Sequence, residues 1–310
     1  MRTLVITGGT GGIGQAAIRY VLSQPDWRVI ALTRKGAPIP GLTPHEAGRV
    51  TPVAADLADL KATARACDDV IARLGGGKID ALSLNAGVQL IHGDPVSADG
   101  FELHFAVNHL AHVLVADRLV PHMRAHGHLV VTSSETHDPA EFCLVGITRL
   151  TWQDPLELAD AARSQRHIPD ALNRGEARYS ASKLANVMHA RTLAREHPEI
   201  AVVSYNPSVV AATGIARERN GLQRYLWRTL FPLLTPVLPG ARSIARSAGD
   251  LAWLLTKADL AKASGAYFDG RKIVPGSPDS RHPAKIARMM QVSRELIAGA
   301  LQQEAPVART

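Results

Sequence analysis

The chain has 310 residues, 46% hydrophobic and 20% charged, which suits a full core and excludes a globally disordered chain. Its formal net charge of +7 fits nucleic acid, an anionic membrane or a polyanionic cofactor, and with only 5% aromatics and no nucleic-acid motif no nucleic acid is expected. Cys67 and Cys143 form no CxxC, and no run of about 18 uncharged apolar residues or charged apolar leader appears; free thiols, no metal and a cytoplasmic location are expected.

Strand and helix patterns alternate along the chain. "TLVIT" at 3–7 is a short β-branched run, followed by a Gly-rich turn and the helical "QAAIRYVL". "RVIALT" (28–33) and "RVTPVAAD" (49–56) predict the second and third strands, and "LKATARACDDVIARL" an amphipathic helix. "IDALSLN" (79–85) is a fourth strand. The run at 101–123 is a long helix, apolar almost all round and hence buried. "HLVVTSS" (128–134) and "IAVVSYN" (200–206) are the fifth and sixth strands. Continuous apolar strands separated by helices predict an α/β fold: one doubly wound parallel sheet with helices on both faces. With no low-complexity linker and no repeat, residues 1–310 read as one domain. Within it, 135–178 is an insertion in which "WQDPLELADAARS" is helical, and 283–301 is an amphipathic tail helix. The thirteen histidines show no metal spacing. His104, His109 and His112 are expected to pack in the long helix, and His137 to sit in a turn.

"TGGTGGIGQAAI" (7–18) joins the first strand to the first helix. Gly8 and Gly12 permit a tight turn and close backbone approach to a pyrophosphate, and Gly14 lets helix and strand pack closely. This strand–turn–helix context raises dinucleotide binding above an ordinary turn. An NAD site places an acid at the end of the second strand. Here Arg34 and Lys35 stand there and no acid appears until Glu46. Both cations suit a 2′-phosphate, which favours NADP(H); two solvated loop cations are the plain alternative.

Tyr179 and Lys183 are four apart in a helical pattern and so share one face. A phenol near pKa 10 is a poor base at neutral pH. An ammonium about 5 Å away favours the phenolate by roughly 3 kcal/mol at an effective dielectric of about 20. Such a phenol can trade a proton with an alcohol or carbonyl. Alternation leaves Ser133 and Ser134 as rival partners.

Taken together, "TGGTGGIG" (7–14), "DL" (56–57), "NAG" (85–87), "NH" (108–109), "VTSS" (131–134) and "YSASK" (179–183) resemble the short-chain dehydrogenase/reductase family, in its order. The closer likeness is to retinol dehydrogenase-like and protochlorophyllide reductase-like members. The resemblance implies a Rossmann-type fold and a catalytic tetrad of Asn108, Ser134, Tyr179 and Lys183. It also implies cofactor contacts at Gly8, Gly9, Thr10, Gly12, Ile13, Gly14, Asp56, Leu57, Asn85, Ala86, Gly87, Pro207, Val209 and Thr213, beside Tyr179 and Lys183. Asn108 would hold a water linking Lys183 to solvent, a satisfied core amide being the alternative. The family's Pro-Gly is Pro207–Ser208 here, and Val209 replaces the cysteine of the protochlorophyllide reductases. The expected activity is hydride transfer between NADP(H) and a small apolar carbonyl or alcohol. Rivals are C=C reduction and a non-catalytic NADP(H)-binding sensor. Residues 214–238 are apolar and basic. They are expected to form a helix capping the core, a substrate lid or, least favoured, a peripheral membrane contact. The oligomeric state stays open, a homodimer being compatible.

Overall fold

The computed structural model describes residues 1–90, 93–139, 150–210 and 241–303. Six strands follow the expected places: β1 (Arg2–Thr7), β2 (Trp27–Thr33), β3 (Val50–Ala54), β4 (Ile79–Leu84), β5 (Met123–Thr132) and β6 (Ala201–Asn206). Four more are short: β7 (Val209–Val210), β8 (Ala241–Arg242), β9 (Tyr267–Asp269) and β10 (Lys272–Val274). The main sheet has eight strands in the order β10-β9-β6-β5-β4-β1-β2-β3. All its neighbours pair in parallel except β9 with β10. The chain is an α/β protein of the doubly wound type.

Side chains alternate across each strand and so feed two cores. Leu4 and Ile6 face the layer built from α1 (Gly12–Leu22) and α8 (Ile244–Thr256). Val5 between them faces α3 (Leu60–Leu74), α5 (Ala111–Leu119) and α7 (Ala171–Glu196). A further cluster seats α9 (Pro283–Gln302) on α5 and α7. Local signals set the ends of α3. Asp59 accepts a hydrogen bond from the Ala62 N–H at its start, and Gly75 closes it at φ 58°.

Four expectations need correction. The third strand stops at Ala54, because Asp56 turns the chain by accepting from the Ala58 N–H. The helix expected over 101–123 starts at Leu103, carries a π turn over Ala106–Leu110, and yields to β5 at Met123. The helical reading of "WQDPLELADAARS" shrinks to α6 (Pro155–Ala159), since the Asp160 carboxylate captures the Ala162 N–H. The sheet is not wholly parallel, as β10 returns antiparallel. Residues 214–238 and Thr213 lie outside the described residues, as does Cys143. Cys67 is a free thiol whose burial pushes its pKa up to about 12. Among the described residues no helix is long and apolar enough to cross a membrane.

Candidate active site

Strand β1 lies between β2 and β4, so the sheet order reverses there. Sheets of this kind bind ligands outside the carboxyl ends of the strands at that point, where the connections leaving β1 and β4 diverge to opposite faces. Both glycine-bearing motifs sit there. Gly8 (φ 75°) and Gly12 (φ 55°) adopt backbone conformations that side chains disfavour. A Cβ on Gly14 would stand 2.3 Å from the Gly8 oxygen, and one on Gly8 would stand 2.8 Å from the Ala86 Cα. The loop is therefore shaped by close backbone packing. At its crest, a Cβ on Gly11 or on Gly12 would meet nothing within 4 Å. Gly11 caps α1 without a side-chain hydrogen bond, and no acid stands in the first turn. Free N–H groups and an open crest fit the pyrophosphate of a dinucleotide. Gly9 is buried under Ile18, Thr10 is exposed and Ile13 packs on the core.

A hydrogen-bond chain fixes the loop after β4. The Asn85 and Ala86 N–H groups donate to Thr7 Oγ1 at 2.9 and 3.0 Å. Asn85 Nδ2 donates to the Thr7 oxygen at 3.2 Å. Thr7 Oγ1 also meets His112 Nε2 at 3.0 Å, while His112 Nδ1 lies 2.9 Å from the Asn108 main-chain oxygen. A carbonyl only accepts, so Nδ1 carries the proton and Thr7 donates to Nε2. Sequence reasoning missed Thr7 and missed this use of His112; the i, i+4 step from Asn108 to His112 was the available signal.

At the end of β2, Arg34 and Lys35 are exposed in a 3-10 turn, Lys35 at φ 59°. Asp56 is exposed and Leu57 half-buried at the end of β3. These four residues stand on connections leaving neighbouring strands.

The Tyr179–Lys183 pair lies on α7. Lys183 is buried, and its Nζ lies 5.5 Å from the centre of the Tyr179 ring. The same Nζ donates to the Thr132 oxygen at the end of β5, at 3.2 Å. Desolvation by burial pushes the Lys183 ammonium down to about 8. A Cβ on Gly87 would stand 3.4 Å from that Nζ and 3.3 Å from Asn108 Oδ1. The glycine thus gives the backbone a close approach to both groups. The structure brings Gly87, Asn108, Tyr179 and Lys183 together at the carboxyl edge of the sheet.

The two serines separate cleanly. Ser133 is buried and donates to the Lys183 main-chain oxygen at 2.8 Å, so its hydroxyl is committed to α7. Ser134 is half-buried and its Oγ meets only the Thr136 N–H, at 3.4 Å, among the hydrogen bonds of the described residues. That leaves the Ser134 hydroxyl the freer of the two. His137 lies in the expected turn, yet it also braces the site. Its Nδ1 donates to the Ser134 main-chain oxygen at 2.6 Å and its Nε2 accepts from the Ser277 N–H at 3.1 Å.

Asn108 is engaged on both sides of its amide. Its Oδ1 accepts from the Val88 N–H at 2.7 Å. Its Nδ2 donates to the Val88 oxygen at 3.0 Å and to Ser182 Oγ at 2.9 Å. Both amide hydrogens are engaged, and the Asn108 main-chain oxygen is taken by His112. The side chain staples the loop after β4 to α7, and its Oδ1 and main-chain oxygen each keep a second lone pair for a further donor. Ser182 continues the staple by donating to the Tyr179 main-chain oxygen at 2.6 Å.

Beyond β6, Pro207 accepts from Ser247 Oγ at 2.7 Å. Ser208 takes φ 64°, the conformation that the family's glycine adopts freely. Its Oγ donates to Asp269 Oδ1 at 3.2 Å, which offsets part of that strain. Val209 lies in β7.

Residues 2–143 match the short chain dehydrogenase family. The chain is also 30% identical over 302 residues to a Streptomyces sp. (strain C5) protein, provisionally named daunorubicin C-13 ketoreductase DnrU. That alignment spans 94% of this chain and 91% of the relative. The chain belongs to the short-chain dehydrogenase family. It is an oxidoreductase by membership, of a family that binds nicotinamide cofactors. Another relative of this short-chain dehydrogenase is the chloroplastic protochlorophyllide reductase A of Oryza sativa subsp. japonica. It is 27% identical over 315 residues, covering 95% of this chain and 80% of that one. Among solved structures, the NADPH-bound carbonyl reductase from chicken fatty liver superposes with a TM-score of 0.60 at 18% identity. The match covers 88% of this chain and 98% of that one, a likeness of fold alone.

Proposed function

We propose that this short-chain dehydrogenase is an NADP(H)-dependent enzyme acting on a small apolar carbonyl or alcohol. The observation that carries the reading is the buried Lys183 ammonium, 5.5 Å from the Tyr179 ring. A bound nicotinamide would supply the hydride in reduction and take it up in oxidation. Tyr179 exchanges the proton with the substrate oxygen. Lys183 favours the phenolate by its charge. Ser134 donates a hydrogen bond to the same oxygen and holds it in line. Asn108 acts as a strut for the loop that carries Gly87.

The cradle for the dinucleotide would be Gly8 to Gly14 and Asn85 to Gly87, with Asp56 and Leu57 bordering the base. Arg34 and Lys35 would take a 2′-phosphate, and a cationic strand end without an acid supports that choice. The printed name of the Streptomyces relative, a ketoreductase, and that of the NADPH-bound carbonyl reductase agree with this reading. Likeness to the rice protochlorophyllide reductase favours a second reading, reduction of a C=C bond. Turnover of a panel of aldehydes, ketones and enones with NADPH and with NADH tests both. Stereospecifically deuterated NADPH separates them. Deuterium on the carbon bearing oxygen supports the first reading, and deuterium on a saturated carbon that was olefinic in the substrate supports the second.

A further inference from the structure

Arg178 immediately precedes Tyr179 and is among the largest fully buried side chains of the described residues. A guanidinium does not lose its proton, so a buried one must be paired and hydrogen-bonded. Its Nε donates to the Ser164 oxygen at 3.1 Å, and its Nη2 to the Ala161 oxygen at 2.7 Å. Its Nη1 donates to the Gly93 oxygen at 3.4 Å and pairs with Asp94 Oδ1 at 2.8 Å. Four N–H groups thus reach two separate connections. Gly93 and Asp94 belong to the loop that leaves β4 through Asn85–Gly87. Ala161 and Ser164 belong to the segment that leaves β5 through Ser134. Each connection begins with residues of the candidate site, and Arg178 bridges them beside the Tyr179 turn.

We infer that Arg178 is a positioning residue that holds Gly93–Asp94 and Ala161–Ser164 at a fixed spacing and so sets the room for a substrate beside Tyr179. The inference rests on Tyr179 and Lys183 being the reacting pair. Fixed walls mean that a bulky substrate meets a preorganised surface and does not have to order two loops as it binds. A short aldehyde leaves most of that wall untouched. Asp94 is also reached by Arg166 at 3.4 Å and by Arg174 at 3.9 Å. Loss of Arg178 therefore does not orphan the carboxylate; it frees three main-chain carbonyls and loosens the bridge.

The test compares Arg178→Met, Arg178→Lys and Asp94→Asn with the unaltered enzyme. Steady-state kinetics are measured with a short aliphatic aldehyde and a bulky aryl ketone, and NADPH affinity by fluorescence titration. In Arg178→Met the KM for the bulky ketone is expected to rise roughly tenfold, and in the two milder variants about threefold. The kcat for the short aldehyde stays within about threefold, and the NADPH Kd within about twofold. If Arg178→Met does not fold, Arg178→Lys and Asp94→Asn carry the test. A bulky-ketone KM unmoved in all soluble variants overturns the inference. So does a parallel loss of kcat for both substrates together with NADPH affinity, which marks a general structural role. An unaltered enzyme that turns over no carbonyl contradicts the proposed function itself. An active enzyme with indifferent variants contradicts only the bridge.

Discussion

Lys183 Nζ sits 5.5 Å from the centre of the Tyr179 ring, on the same face of α7, and is held there by the Thr132 oxygen at 3.2 Å. The charge that would tune the phenol is a charge the fold disfavours. Burial brings the Lys183 pKa from 10.5 to about 8, so between those values the folded state binds fewer protons than the unfolded chain. Stability of the cofactor-free protein therefore rises with pH across that window, and the cost of the buried charge is complete below about pH 8. The gain is on the order of 3 kcal/mol at most. Urea unfolding at pH 7.5 and 9.5 should show it in the unaltered protein, and Lys183→Met should flatten the difference.

A second pH effect operates in the acid range. Burial holds His109 down to about 3, His112 to about 4 and His189 well below the ordinary range. Above pH 6.5 these rings are neutral in both states and contribute no slope. Below it the unfolded chain takes up protons that the folded state refuses, so stability falls as pH drops toward 4. Three such histidines give about 4 kcal/mol per pH unit at the steepest. Neither ring nitrogen of His189 has a hydrogen-bond partner among the described residues. His189→Leu should therefore keep or raise stability at pH 7 and make the acid slope shallower in denaturation curves at pH 7, 6 and 5.

The proposed NADP(H) preference rests on the two cations at the end of β2. Arg34→Asp should weaken NADPH roughly tenfold or more while leaving NADH nearly unchanged. Because Arg34 and Lys35 are exposed, added salt should weaken NADPH more than NADH. Calorimetric titrations at low and high salt measure both. Equal affinity for the two cofactors in the unaltered protein would contradict the assignment.

The glycine loop makes a positional prediction. A Cβ on Gly14 meets the Gly8 oxygen at 2.3 Å and Asn85 Nδ2 at 2.7 Å, and backbone cannot yield cheaply. Gly14→Ala should cost about 3 kcal/mol or more and abolish NADPH binding. Gly11 meets nothing within 4 Å, so Gly11→Ala should stay within about 1 kcal/mol. Denaturation midpoints and cofactor titrations of the two variants decide this.

The parts of this protein legible in sequence were those whose signal is local. Apolar runs located β1 to β6, and glycine spacing located the loop after β1. Tyr179 and Lys183 announced themselves because an i, i+4 step is a local geometry. Three-residue strands such as β9 and β10 carry too little pattern to read, and their place at the sheet edge is decided by pairing with β6. Asn108 stood out as a polar residue in a buried helix; a partner of its amide is Val88, twenty residues earlier. Arg178 carries no local signal of its role. Its burial depends on carbonyls fourteen, seventeen and eighty-five residues away, which no window along the chain reveals.

The central claim is that Tyr179 is the group that exchanges the proton. It is tested most directly by Tyr179→Phe, which removes one hydroxyl and keeps the ring beside Lys183. Carbonyl-dependent NADPH oxidation should fall by about 10³-fold or more, while NADPH affinity stays within about threefold. A variant that keeps most of its turnover with the cofactor bound as before would contradict the account.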